Sequence, residues 1–353
     1  MLLERFKNIQ LVQFRKSGSL TQGDVSSMQS LSAPLESSEQ ALPPELTDLK
    51  NPQTAIPELA RNIDALKVIE AHVRLQPTYH QLFCGDARQM ESVETESVHL
   101  VVTSPPYWTL KKYNVGQGQL GEIKDYECFL AELEAVWREC HRVLVPGGRL
   151  VCVVGDICLS RRKNRGRHTV VPLHASIQEC CRKIGFDNLA PIIWYKIANA
   201  VYEANGNGAG FLGKPYEPNA VIKNDIEFLL MERKPGGYRK PSVETRVMSV
   251  ISQTEYQTWF RQIWTDIPGT STRNHPAPFP LPLADRLIRM FSFVGDTVLD
   301  PFMGSGTTNV AAARAGRNSI GIEIDGQYFK HATSRLAHSA DNLFSQTTID
   351  IYD

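Results

Sequence analysis

Five short runs in this chain, 79–83, 98–102, 150–154, 298–299 and 320–324, read as strands, and each runs into a turn built from glycine, proline or aspartate. Between them lie stretches with helical spacing. In 126–144 the apolar positions are Phe129, Leu133, Val136, Trp137, Cys140 and Leu144, and Pro146-Gly147-Gly148 is expected to stop that helix. Further helices are expected over 63–74, 171–184, 282–294 and 307–315, and two more strands over 191–195 and 226–231. Strands alternating with helices can bury their apolar faces in few ways. The pattern predicts an α/β fold: a mostly parallel seven-stranded sheet with helices on both faces. Ligands of such sheets sit at the carboxyl ends of the strands. The turns after Phe83, Val102, Val154, Leu299 and Ile324 should therefore share one edge.

The most specific of these turns is Thr103-Ser104-Pro105-Pro106-Tyr107-Trp108. Proline cannot donate to a sheet ladder and fixes φ, and each proline holds the residue before it extended. The result is a stiff strand tip carrying a hydroxyl, carbonyls with free lone pairs and an aromatic face. Such a tip can accept a planar group that bears an amine. An ordinary proline-broken strand end is the plainer reading of the tetrapeptide alone.

The second motif, Asp300-Pro301-Phe302-Met303-Gly304-Ser305-Gly306-Thr307-Thr308, lies between a strand and a helix. Its glycines let a ligand approach the backbone, and Thr307 or Thr308 can cap the helix that follows. Glu323 ends the next strand, where a carboxylate can accept from ribose hydroxyls. No Lys follows Gly306, which excludes a P-loop, and the third glycine of a dinucleotide fingerprint is missing. Gly208-Ala209-Gly210-Phe211-Leu212-Gly213 matches that fingerprint formally but opens no helix, because Lys214-Pro215 follows. Two carboxylates, Asp300 and Glu323, repel a pyrophosphate but suit a ribose and a sulfonium.

Lys plus Arg and Asp plus Glu both number 38, so any attraction to nucleic acid must be local. The clearest local charge is Arg161-Arg162-Lys163-Asn164-Arg165-Gly166-Arg167-His168, just beyond a strand end on the expected active edge. It reads as a clamp on DNA phosphates, or else as a solvated charge run. Seven cysteines without a CxxC or Cys/His cluster argue against a disulfide framework and a structural metal site, and fit a reducing cytoplasm. No apolar run reaches membrane-spanning length. Residues 17–60 are rich in Ser, Gln, Pro, Glu and Thr, so 1–60 is expected to be a flexible leader.

Together the two motifs resemble the amino-methylating DNA methyltransferases that use S-adenosylmethionine. Asp-Pro-Phe-x-Gly-Ser-Gly-Thr-Thr looks like that family's cofactor loop, and Thr-Ser-Pro-Pro-Tyr like its catalytic motif in the form typical of N4-cytosine enzymes. Adenine-N6 members usually carry Asp at the position of Ser104. With the catalytic motif first and the cofactor loop second, the order resembles the circularly permuted β group. Cys84-Gly85-Asp86-Ala87 resembles the group's opening cofactor-side motif, and His275-Pro276-Ala277-Pro278-Phe279-Pro280 the segment that closes over the methionine part of the cofactor. The resemblance covers roughly 78–340.

It implies a Rossmann-like methyltransferase fold with a catalytic half over 61–196, a target-recognition region over 197–270 interleaved with the strand at 226–233, a cofactor half over 271–340 and a tail over 341–353. It implies Ser104, Pro105, Pro106 and Tyr107 as the catalytic group, and Asp86, Asp300, Phe302, Gly304, Gly306, Thr307, Thr308 and Glu323 around S-adenosylmethionine. Lys111, Lys112, Arg161, Arg162, Lys163, Arg165 and Arg167 are the expected contacts to double-stranded DNA. Asn199, Asn205, Asn207, Lys214, Asn219, Arg239, Lys240 and Arg246 are of types that can read base edges. The implied activity is methylation of a flipped cytosine at N4, with adenine N6 as the alternative and an RNA enzyme or a silent DNA-binding homologue behind it. No Pro-Cys pair occurs, which disfavours methylation at ring carbon five. A cognate restriction endonuclease and a cytoplasmic monomer or homodimer complete the expectation.

Overall fold

A computed structural model describes residues 12–17, 42–47, 49–109, 116, 118–162, 164–196, 224–270, 279–341 and 346–352. Its strands are β1 (Val12–Ser17), β2 (Thr78–Cys84), β3 (Val98–Thr103), β4 (Leu144–Val154), β5 (Ile157–Leu159), β6 (Thr169–Val171), β7 (Asp187–Tyr195), β8 (Ile226–Arg233), β9 (Ile263–Trp264), β10 (Thr297–Asp300), β11 (Asn318–Glu323) and β12 (Thr347–Tyr352). Ten of them form one sheet in the order β1-β12-β2-β11-β10-β3-β4-β8-β7-β9, while β5 and β6 pair as a separate hairpin. The run from β1 to β4 is parallel, and β8 is antiparallel to both its neighbours.

The seven strands read from the sequence are the contiguous block from β2 to β7. Strand alternation feeds two cores. Leu150, Cys152 and Val154 of β4 join Phe129, Leu133 and Trp137 of helix Tyr126–Val143 on one face. Val151 and Val153 join Leu283 and Leu287 of helix Leu281–Phe291 on the other. Burial of these side chains on both faces is what a parallel sheet requires.

Three expectations need correction. The leader is not wholly unstructured: β1 pairs along β12, and helix Pro52–Leu59 is capped by Asn51, whose side chain accepts from the Gln53 N–H. Leu42, Ile69 and Val247 form a small core of their own with Ile56 and Leu59 against it. The tail is also an inner strand. Its β-branched Thr-Thr-Ile-Asp-Ile-Tyr buries Ile349 and Ile351, and Tyr352 stacks on Phe83 at 4.4 Å. Finally, Pro146-Gly147-Gly148 does not separate helix from strand. The helix ends at Val143 and β4 runs straight through the triplet. Gly147 adopts φ +80°, and a Cβ there would meet the Gly237 carbonyl at 2.5 Å, so only glycine allows that irregular start.

Candidate active site

The carboxyl ends of β2, β3, β4, β10 and β11 lie along one edge because the strands are parallel. A cavity opens there. Gly85 and Asp86 from the end of β2, Ser104 and Pro106 from the end of β3, Phe302 and Gly304 from the loop after β10, and Glu323 from β11 all line it. Segments more than 200 residues apart in sequence thus supply one pocket. Gly118, Gln119, Leu120 and Tyr328 also line it and carried no signal in the sequence.

Glu323 sits at the pocket wall with its carboxylate held on both sides. Oε2 accepts the Gly304 N–H at 2.7 Å and Oε1 the Asp325 N–H at 2.9 Å. Burial pushes its carboxyl up to about 7, and these two N–H groups offset part of that rise. Beyond the neighbouring strand β2, burial also acts on Asp86, but hydrogen bonds from Arg88 outweigh it and hold that carboxyl below the usual range. Arg88 also pairs with Glu132. Phe302 packs edge-on to Trp137 at 6.0 Å.

Asp300, Thr307, Thr308 and Gly306 lie behind the pocket rather than on its wall. The Asp300 carboxylate is 1% exposed and accepts from the Thr103 and Thr308 hydroxyls, both at 2.7 Å, and from the Phe302 N–H at 3.1 Å. Burial raises its carboxyl to about 6, against those three donors. Asp300 is expected at the cofactor but is not among the residues lining the cavity; it ties β3 to the glycine loop. Neither threonine caps the helix; Gly306 holds the N-cap position at φ +74°. The Thr307 hydroxyl accepts instead from Arg335, which also donates to the Ser305 carbonyl and so braces the loop from helix Gly326–Asp341. No sequence motif marked Arg335.

Ser104 is half-buried at the strand tip, and Pro105, Pro106 and Tyr107 are buried. The Tyr107 hydroxyl donates to Glu227 Oε1 at 3.0 Å. Glu227, 6% exposed, also pairs with Lys196. Both residues escaped the sequence reading, although a Glu inside the apolar run of β8 is a signal that could have found one of them. Trp108 takes φ +45° and packs edge-on to Tyr126 at 5.2 Å against the core. Beyond β4, Asp156 binds His174 at 2.6 Å, and the His174 ring stacks on Phe228.

The basic run is carried on an ordered turn. β5 and β6 pair antiparallel directly after the end of β4, and Arg161, Arg162, Arg165 and Arg167 lie on the connection between them. Asn164 locks the turn by donating to the Thr169 hydroxyl at 2.7 Å, and Arg165 and Gly166 adopt φ +48° and +79°. Lys111, Lys112 and Lys163 lie outside the described residues, as do Asn199, Asn205, Asn207, Lys214, Asn219 and residues 275–278. Arg239 is corrected: it pairs with Asp296 at the amino ends of the parallel strands, far from the active edge.

A model of the N6_N4_Mtase family, DNA methylases, matches residues 98–334. The chain belongs to this family. Among relatives, the type II methyltransferase M.MjaI of Methanocaldococcus jannaschii is 40% identical over 278 residues, which span 70% of this chain and 88% of the relative. The DNA adenine methyltransferase YhdJ of Escherichia coli is 31% identical over 268 residues, 71% of this chain and 81% of the relative. TTHA0409 from Thermus thermophilus, solved with S-adenosyl-L-methionine, is 52% identical and superposes with a TM-score of 0.64 over 78% of this chain and 98% of its own. The methylase pocket suits a sulfonium nucleoside: the Glu323 carboxylate faces it as an acceptor, Phe302 gives it an apolar wall, and no lysine or arginine is among its described lining residues to hold a phosphate.

Proposed function

We propose that this DNA methyltransferase methylates the exocyclic N4 amine of a cytosine flipped out of duplex DNA, as the modification partner of a restriction endonuclease. Its cofactor, S-adenosylmethionine, supplies an electrophilic methyl group on a sulfonium. The observation that supports the reading is the shared cavity: Ser104 and Pro106 line the same space as Asp86, Phe302, Gly304 and Glu323. An amine held at Ser104 is thereby next to a donor held by the glycine loop.

A cytosine amine is conjugated with its ring and nucleophilically poor. The Ser104 hydroxyl and the Pro105 carbonyl accept its two hydrogens, which draws the nitrogen toward sp³ geometry and frees its lone pair for in-line attack. Tyr107 stacks on the extruded base, a contact worth roughly 1–3 kcal/mol. That offsets the few kcal/mol spent on unstacking. The arginine turn between β5 and β6, standing on the same edge, neutralises backbone phosphates. The work is positioning and electrostatics.

Methylation of adenine at N6 is the second reading, favoured by the 31% identity to an enzyme named for adenine. Ser104, where adenine enzymes usually carry Asp, favours cytosine. Incubation with labelled S-adenosylmethionine and mixed-sequence duplex, followed by digestion to nucleosides and mass analysis, decides between them. N4-methylcytosine is expected; N6-methyladenine selects the second reading, and no transfer to DNA sinks both. Ser104→Ala should slow transfer on the order of a hundredfold with an unchanged melting temperature. Near-wild-type turnover would leave the Pro105 carbonyl as the acting acceptor.

A further inference from the structure

The catalytic turn is held by residues that no motif contains. Tyr107 is 6% exposed, and its hydroxyl lies 3.0 Å from Glu227 Oε1. Glu227 is equally buried and pairs with Lys196 through the same oxygen. A buried carboxylate with no such partners would be costly, and two partners on one oxygen fix its position. The fit is tight on the remaining side. A Cβ at Gly155 would lie 3.2 Å from Glu227 Cγ and 3.5 Å from Tyr107 Cε1, so the backbone just past β4 runs close beside both side chains. Lys196 directly follows β7 and Glu227 is the second residue of β8, and the adjoining ends of the two strands are joined by the Lys196 N–H donating to the Asp225 carbonyl at 3.2 Å. In sequence they flank 197–223, the stretch expected to take part in target recognition.

We propose that Glu227 and Lys196 are positioning residues for base capture. They set the plane of the Tyr107 ring through its hydroxyl, and they tie the adjoining ends of β7 and β8 to the catalytic turn. The inference rests on the proposed role of Tyr107 as the surface on which the flipped base stacks. Packing around the 6%-exposed ring already narrows its two side-chain torsions. The hydroxyl bond selects one orientation within that packing before the base arrives, which is pre-organisation of a contact made with the substrate.

The test is a double-mutant cycle with Tyr107→Phe, which keeps the ring and removes the hydroxyl. Single-turnover methyl transfer and the fluorescence of 2-aminopurine at the target position are followed in the full-length protein. Glu227→Ala should slow transfer roughly ten- to a hundredfold and weaken the flipped-base signal, with the Kd for S-adenosylmethionine unchanged. Glu227→Gln, which keeps an acceptor, should recover most of the rate. In the Tyr107→Phe background Glu227→Ala should add less than about twofold, since both remove one interaction. Lys196→Met, which leaves Glu227 in place, guards against a variant that fails to fold and should show a smaller loss of the same kind. Multiplicative effects of Glu227→Ala and Tyr107→Phe, or a wild-type rate and 2-aminopurine signal in a folded Glu227→Ala protein, would overturn the proposal. Both readouts are ratios to wild type on whichever base is methylated, so a wrong base assignment leaves this test intact. Absence of any wild-type transfer would instead mark failure of the underlying function.

Discussion

Glu323 shows how a single residue's environment sets a measurable property. Its carboxyl is raised to about 7 by burial, so it changes charge within the physiological range. A raised carboxyl is ionised only above that value. Acceptance from ribose hydroxyls and attraction to a sulfonium both favour the ionised form, so cofactor affinity should strengthen as pH rises through 7. If only the ionised form binds, Kd should be about tenfold weaker at pH 6 than at pH 8. Calorimetric titration checks this, and Glu323→Gln should bind weakly with a flat profile; a pH-dependent Glu323→Gln would assign the effect elsewhere. At this scale the sequence showed which residues stand near the pocket but not which way they face. Asp300 and Glu323 are both carboxylates at strand ends, yet Asp300 is consumed by Thr103, Thr308 and the Phe302 N–H, and Glu323 reaches the wall. A hydroxyl partner 197 positions away in the chain, Thr103, leaves no local trace.

Among the elements, the arginine turn is the one that the tertiary structure redefines most. In the sequence it is a charge run that could equally be solvated chain. In the fold, β5 and β6 pair over three residues each, and Asn164 with Gly166 closes the turn, so the arginines are carried at a fixed place on the active edge. A cationic run on an ordered turn releases counterions when it meets phosphates. Replacing Arg161, Arg162, Lys163, Arg165 and Arg167 with Ala should reduce the slope of log K against log salt by about 0.9 for each phosphate the turn had neutralised. DNA binding measured across a salt series checks it, and an unchanged slope would remove the turn from the interface. The central strands and most helices, by contrast, were legible in place, because burial on both faces of a parallel strand and at helical spacing writes itself into local pattern, but β4 and β7 begin six and four residues earlier than read, and helix Gly326–Asp341 was not read at all. The strand edges were not. Residues 1–16 read as a short amphipathic helix and 341–353 as a tail, whereas β1 pairs with β12 and β12 with β2.

For the whole molecule, that terminal pairing matters to stability more than to chemistry. β12 is inserted between β1 and β2, at the flank of the sheet away from the Ser104–Tyr107 turn. Ile349 and Ile351 lie in the core beneath helix Gly326–Asp341. Each buried isoleucine is worth roughly 1.5–3 kcal/mol. Deleting residues 346–353 should therefore lower unfolding stability by about 3–6 kcal/mol on the same scale, measured by urea denaturation with bound cofactor absent. An unchanged midpoint would show that β12 contributes no core. The sequence by itself determined the order of the seven central strands and the helices that alternate with the first of them, the family and the two motifs, because each is carried by residues adjacent in the chain. Only the tertiary structure decided which of Asp300 and Glu323 faces the pocket, that Glu227 accepts from the Tyr107 hydroxyl and pairs with Lys196, and that segments 12–17 and 347–352 join the sheet. Those facts depend on contacts between segments far apart in sequence, where partners are selected by packing and hydrogen-bond geometry rather than by spacing.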